Sequence, residues 1–175
     1  RRLRNCCRLQ LLRAVCRGLQ PGHSILLDKP LKLRLSRGAH VTLGDRVESD
    51  GRVFITVGYG GRLNIGNRVY FNDGAVISCL GRVDIGDDTL FGPGVKIFDN
   101  NHRFSREEGV SRVCDAGCIT VGRNCWIASD VVLLKGTNIG DNCVIGAGCV
   151  IRGEVPAGSI VTRSGDQITR PIETR

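Results

Sequence analysis

The sequence predicts an all-β fold: a parallel β-helix of six-residue repeats, with a short helix in front and one loop projecting from its wall. A branched or bulky apolar residue recurs at every sixth position, a small or β-branched residue follows four places later, and glycine usually stands directly after the apolar anchor. The anchors are Ile65, Phe71 and Ile77, then after two extra residues Ile85, Phe91 and Ile97, then Val121, Ile127, Leu133, Ile139, Ile145 and Ile151. The small positions are Val69, Ala75, Thr89, Val95, Cys125, Val131, Thr137, Cys143, Cys149 and Val155.

A period of six is not helical, and it is too regular for hairpins closed by two-residue turns. Short strands separated by corners remain. Anchor and small residue both point inward, three hexads close a triangular coil of about eighteen residues, and stacked coils bury the anchors in a column. The corners are "IGNR" from Ile65, "IGDD" from Ile85, "VGRN" from Val121 and "IGDN" from Ile139. Their glycines, Gly66, Gly86, Gly122 and Gly140, suit turns that need unusual φ/ψ. The spacing drifts around "LGDR" at Leu43 and over Arg52 to Val57, which predicts an irregular first coil.

The length predicts one domain, divided as 1–29 basic helix and connector, 30–161 β-helix with a loop over 98–118, and 162–175 C-terminal tail. Leu3, Cys7, Leu11 and Ala14 repeat at helical spacing until Gly18, Pro21 and Gly22 stop them. That helix is expected to pack on the body of the protein or a neighbouring subunit; attachment to an anionic membrane surface is the alternative. Arg1, Arg2, Arg4, Arg8, Arg13 and Arg17 concentrate the net charge of +8 there. The remainder is close to balanced, which disfavours nucleic acid as a partner and leaves a local anion site open. The nine cysteines include no C-x-x-C pair, and Arg8 and Arg13 interrupt any apolar run that would read as a secretory signal, so a reducing cytoplasm is expected. Cys125, Cys143 and Cys149 read as small inward residues, and Cys114 and Cys118 lack two further ligands for zinc.

Between Ile97 and Val121 the six-residue rule breaks for a polar, charged segment beginning "FDNNHRF". A long irregular loop on a rigid scaffold is a usual place for chemistry, and this one carries His102.

These residues resemble the hexapeptide acyltransferases of the galactoside, maltose, xenobiotic and surface-polysaccharide acetyltransferase type. The similarity runs from about Ile65 to Val161. "VGRNCWIASDVVLLKGTNIGDNCVIGAGCVIRGEVPAGSIV" looks like the late coils and "FDNNHRF" like the catalytic loop. The resemblance implies a left-handed coil, a homotrimer with active sites between subunits, and acetyl-CoA as co-substrate without a metal. It implies His102 as general base, Asn72 and Asp99 toward the acceptor, Trp126 beside the pantetheine arm, and Ser129 and Ala147 with backbone along that arm. Lys135, Arg152, Arg163 and Arg170 are candidates for the CoA phosphates, although Ile151, Arg152 and Gly153 stand where the family commonly has a Thr-Lys pair.

The chemistry suits those residue types. A hydroxyl attacks a thioester poorly until a base takes its proton, and neutral imidazole does this near pH 7. The expected function is acetyl transfer to a hydroxyl of a sugar or surface-glycan precursor, directly and without an acyl-enzyme. The alternatives are acetylation of an amino sugar, a noncatalytic assembly platform, and a carbonic-anhydrase-like zinc site. The last would need three converging histidines, and the others are His23 and His40.

Overall fold

The computed structural model describes residues 18–29, 31–164 and 166–171. The helix expected over the first eighteen residues lies outside them but for Gly18, and no helix occurs among the described residues. Strands fall on three faces in strict rotation. The first face stacks Leu19–Pro21, His40–Leu43, Arg62–Ile65, Arg82–Ile85, Cys118–Val121, Asn138–Ile139 and Glu154–Val155. The second runs from Leu26–Leu27 through Tyr70–Phe71, Leu90–Phe91, Trp126–Ile127 and Val144–Ile145 to Ser159–Ser164. The third runs from Lys32–Leu35 through Val53–Val57, Ala75–Cys79, Lys96–Phe98 and Val132–Leu134 to Val150–Ile151. Every pairing between coils is parallel, as a column that climbs without reversing requires.

All twelve anchors are buried, and so are all ten small positions. Inward packing rests on strand alternation, which places a strand's second and fourth residues on the same side. Phe71 and Phe91 stack with ring centroids 4.8 Å apart, filling the column where two bulky anchors succeed one another.

The column begins at Leu19, ahead of the expected boundary at residue 30, because Leu19–Pro21 pairs with His40–Leu43 and Leu26–Leu27 with Glu48–Ser49. At the other end Asp166–Pro171 turns back antiparallel on Ser159–Ser164, so the described part of the expected tail forms a hairpin on the last coil. The drift of the repeat has a simple cause. Stacked corner residues lie 22 residues apart at His23 and Asp45, 20 apart at Asn67 and Asp87, and 18 apart at Arg123 and Asp141. Only the last spacing is a multiple of six. The early coils are longer partly on the third face, where Val53–Val57 and Ala75–Cys79 have five residues against three in Val132–Leu134.

The corner glycines are required for a reason other than φ. Positive φ falls two residues later, on Arg68 (54°), Asp88 (59°), Asn124 (54°) and Asn142 (58°). Asp and Asn tolerate that region, and Arg68 is held there by Nε and Nη2 bonds of 2.6 and 2.7 Å to Asp88. The glycines answer instead to close approach between coils. A Cβ on Gly86 would stand 2.7 Å from the backbone nitrogen of Arg123, and one on Gly122 would stand 2.6 Å from that of Asp141.

Between them, each Asp or Asn side chain accepts the backbone N–H of its counterpart in the coil below. His23 donates to Asp45 at 2.7 Å, Asp45 to Asn67 at 2.9 Å, Asn67 to Asp87 at 2.8 Å and Arg123 to Asp141 at 2.8 Å. Hydrogen bonds from His23 hold Asp45 below its ordinary range, those from Asn67 do so for Asp87, and those from Arg123 for Asp141.

Gly122→Ala should lower stability by about 2 kcal/mol or more, because backbone rather than a flexible side chain occupies the space; thermal unfolding checks this. The three depressed carboxylates bind protons more readily once the chain unfolds. Their contribution is therefore complete above the ordinary carboxylate pKa near 4 and is lost as pH falls through the folded values. The unfolding midpoint in urea should fall steeply below about pH 4, and Asp87→Asn should flatten that fall.

Candidate active site

The chain leaves its column once among the described coils. Between Lys96–Phe98 and Cys118–Val121 it departs from the edge joining the third and first faces as an antiparallel hairpin, Asn100–Ser105 against Gly109–Ala116. Asp99 anchors the foot of this hairpin. It is 0% exposed, and its two carboxylate oxygens accept the N–H groups of Leu80 and Gly81 at 2.8 and 2.7 Å. Asn100 Nδ2 donates to Asp99 Oδ1 at 3.0 Å and to the Ser78 carbonyl at 3.2 Å. The expected contact of Asp99 with the acceptor is thereby corrected. The turn N–H groups of half-buried Leu80 and Gly81 need acceptors, and Asp99 supplies both from inside the wall.

His102 is exposed on the first strand of the hairpin, opposite Cys114. Its Nδ1 lies 3.0 Å from the Ser111 carbonyl oxygen. A carbonyl can only accept, so the proton sits on Nδ1 and the neutral ring keeps its lone pair on Nε2. Of the acids near in sequence, Asp99 is committed elsewhere, and it is the Ser111 backbone that orients the ring. Cys114 Sγ rests 3.5 Å from Nδ1 and 3.9 Å from Nε2. In the sequence Cys114 offers itself only as a zinc ligand; its contact with His102 follows from hairpin pairing, which shifts register between His102 and Phe104.

The other predicted residues divide between two edges of the prism. Phe71, Phe91, Ile127, Ile145 and Val161 stack in register; the residues after the first four form the edge between second and third faces, and those after Val161 continue the strand Ser159–Ser164 above that edge. Asn72 is the first after Phe71; Ser129, Ala147 and Arg163 are each the second after their anchor. Asn72 Oδ1 accepts the N–H of Asp73 at 2.7 Å. Ser129 is half-buried with its carbonyl accepting Gly148 N–H at 2.9 Å, while Ala147 is exposed. Arg163 Nη1 would lie 3.6 Å from a Cβ on Gly148. Trp126, 54% exposed, stands on the second face in register with Leu90 and Val144.

Arg152 follows Ile151, which pairs with Leu133, and so belongs with Lys135 to the edge that carries the hairpin. The stem of Lys135 crosses Gly117, where a Cβ would meet its Cγ at 2.5 Å. Neither Lys135, Arg152 nor Arg163 has an ion-pair partner among the described residues. The side chain of Arg170 lies outside them. Two of the inward cysteines are unreactive in this setting: burial, with the Asp99 carboxylate adding to it, pushes the Cys79 thiol up to about 12, and burial pushes Cys125 up to about 11. Among the described residues no three His, Cys, Asp or Glu side chains converge as a metal site.

The bacterial transferase hexapeptide family (six repeats) matches residues 118–153, the late coils with their strict period. Column, repeat and match define the class: a parallel β-helix of hexapeptide repeats, the late coils of which are those the family describes. Within that class the chain is similar to the galactoside O-acetyltransferase of Escherichia coli (strain K12), 31% identical over 134 residues, 77% of this chain and 65% of that one. It thus spans slightly less than two thirds of that relative's length. A galactoside acetyltransferase solved in complex with coenzyme A has a TM-score of 0.62 at 23% identity, covering 98% of this chain and 80% of its own. A hexapeptide-repeat acetyltransferase from Vibrio cholerae O1 biovar eltor, complexed with acetyl coenzyme A, has a TM-score of 0.61 at 18% identity, covering 97% of this chain and 86% of its own.

Asp99→Asn leaves one of the two turn N–H groups facing an amide NH2 in place of an acceptor. It should cost roughly 2 kcal/mol, with amide exchange quickening first at Leu80 and Gly81.

Proposed function

We propose that this protein transfers an acetyl group from acetyl-CoA to a hydroxyl of a sugar or glycan precursor, with His102 as general base. The observation that carries the reading is the Nδ1 contact to the Ser111 carbonyl at 3.0 Å, which leaves Nε2 as the basic atom of an exposed ring. Acetyl-CoA supplies the acetyl group as an activated thioester. Nε2 takes the acceptor's proton as its oxygen attacks, and the same proton serves the departing thiolate, so an acyl-enzyme is unnecessary.

The residues present suit the co-substrate. Beside Ser129 the corner of the coil below is Gly92, where a Cβ would stand 2.7 Å from the Ser129 nitrogen, and Ala147 and Gly148 follow in the coil above. Small residues along one edge permit a slender pantetheine arm to lie against backbone, with the exposed Trp126 indole at its side. Arg163 at the end of this edge, and Arg152 on the other, are cations suited to phosphates.

His102 and Asn72 lie on different edges. Within one copy the third face separates those edges, and its five-residue strand Ala75–Cys79 spans about 17 Å. A cyclic trimer brings the hairpin edge of one copy to the Asn72 edge of the next, a head-to-tail contact that closes on itself. The exposed Phe104, Val110 and Val113 give the hairpin apolar area for such a contact. We place the enzyme in the cytoplasm, where acetyl-CoA and free thiols coexist.

With galactosides and oligosaccharides as acceptors, His102→Ala should slow CoA release by about 10²- to 10⁴-fold while CoA binding stays unchanged. Undiminished turnover in that variant refutes the assignment. Equilibrium sedimentation reads the trimer.

A further inference from the structure

We infer that Cys114 is a thiol modification site that silences His102: a disulfide adduct on its sulfur occupies the space against the imidazole and stops acetyl transfer. The silencing rests on the role proposed above for His102. The contact on which it depends stands independently.

Among the described cysteines, Cys79, Cys125, Cys143 and Cys149 are buried in the column, whereas Cys114 is half-exposed and Cys118 exposed. Cys114 and His102 are cross-strand partners on the hairpin, so their side chains share one face of a two-stranded ribbon. The sulfur lies 3.5 Å from one ring nitrogen and 3.9 Å from the other. It therefore rests against the ring itself and not at a single nitrogen. The Nδ1 bond to Ser111 holds the ring in place, so the ring cannot turn away from a group added to the sulfur without losing that bond. A bulky group on Sγ crowds the ring, covering Nε2 or displacing the imidazole from Ser111. Both outcomes remove the base. Cys118 does not share this geometry, because it belongs to the first face of the column, paired with Arg82.

The co-reactant is a low-molecular-weight disulfide. The Cys114 thiolate, its proton released to solvent, attacks one sulfur of the reagent. A new S–S bond forms to Cys114, the reagent's S–S bond breaks, and the other half leaves as a thiolate. Cys114 is oxidised to the mixed disulfide as the reagent is reduced, and an external dithiol reverses the step.

The test uses the full chain with Cys6, Cys7, Cys16 and Cys118 replaced by Ser, and dithiobis(nitrobenzoate) as the disulfide. One equivalent of aryl thiolate should be released. The His102 Cε1 proton resonance, assigned with His102→Ala, should shift, CoA release should fall at least ~10-fold, and dithiothreitol should restore both. Adding Cys114→Ser should abolish all of these responses, leaving that protein's own turnover constant through the treatment. A labelled Cys114 with an unmoved His102 resonance overturns the contact. A shifted resonance with undiminished turnover overturns the silencing, as does equal inactivation of the Cys114→Ser protein. A chain without acetyl transfer refutes the proposed function, and the resonance still decides whether Cys114 covers His102.

Discussion

The close stacking of one coil on the next governs this molecule. Parallel strands in adjacent coils sit about 4.8 Å apart, the spacing their hydrogen bonds impose. At a flat strand that spacing leaves room for side chains pointing inward or outward. At a corner the backbone turns and the coil above closes over it. Gly86 and Gly122 sit where the next coil's backbone would touch any Cβ. The same proximity lets Asn67 lend its backbone N–H to Asp87, so a corner otherwise rich in unsatisfied backbone is hydrogen-bonded by side chains from above. Glycine and Asx residues at these corners are two responses to one distance.

A column built this way offers chemistry few places. Its interior is filled with apolar anchors, its faces are ladders, and its corners are occupied by neighbouring coils. An inserted segment can leave only at an edge, and here it leaves where Asp99 holds the preceding turn from inside. The hairpin that follows is tied to the wall at its foot and exposed beyond it. His102 thus combines a fixed ring, set by Ser111, with access to solvent, while the Cys79 and Cys125 thiols are kept protonated by the burial that makes them good core residues.

Much of this was legible in the residues. Periodicity placed the twelve anchors and ten small positions inward, since inward and outward are decided by local strand alternation, but it did not reach Leu63, Val83 and Ile119, which are equally buried. The break after Ile97 located the excursion and its histidine. The coil lengths were harder to see. A repeat of six is visible where coils have 18 residues and blurs where they have 20 or 22, so in the sequence the first coil, from Leu19, looks like a connector. The corner glycines were recognised as necessary, but the necessity lies in the coil above and not in their own φ.

By itself the sequence determined the column, its corners and the point where the chain leaves it, because each depends on residues a few positions apart. Tertiary structure alone decided that Asp99 is buried, that Ser111 orients His102, that Cys114 lies against the imidazole, and that Asn72 and His102 fall on different edges. Each of these depends on register between strands separated by a hairpin turn or a whole coil, and that register is set by packing, which no spacing in the chain encodes.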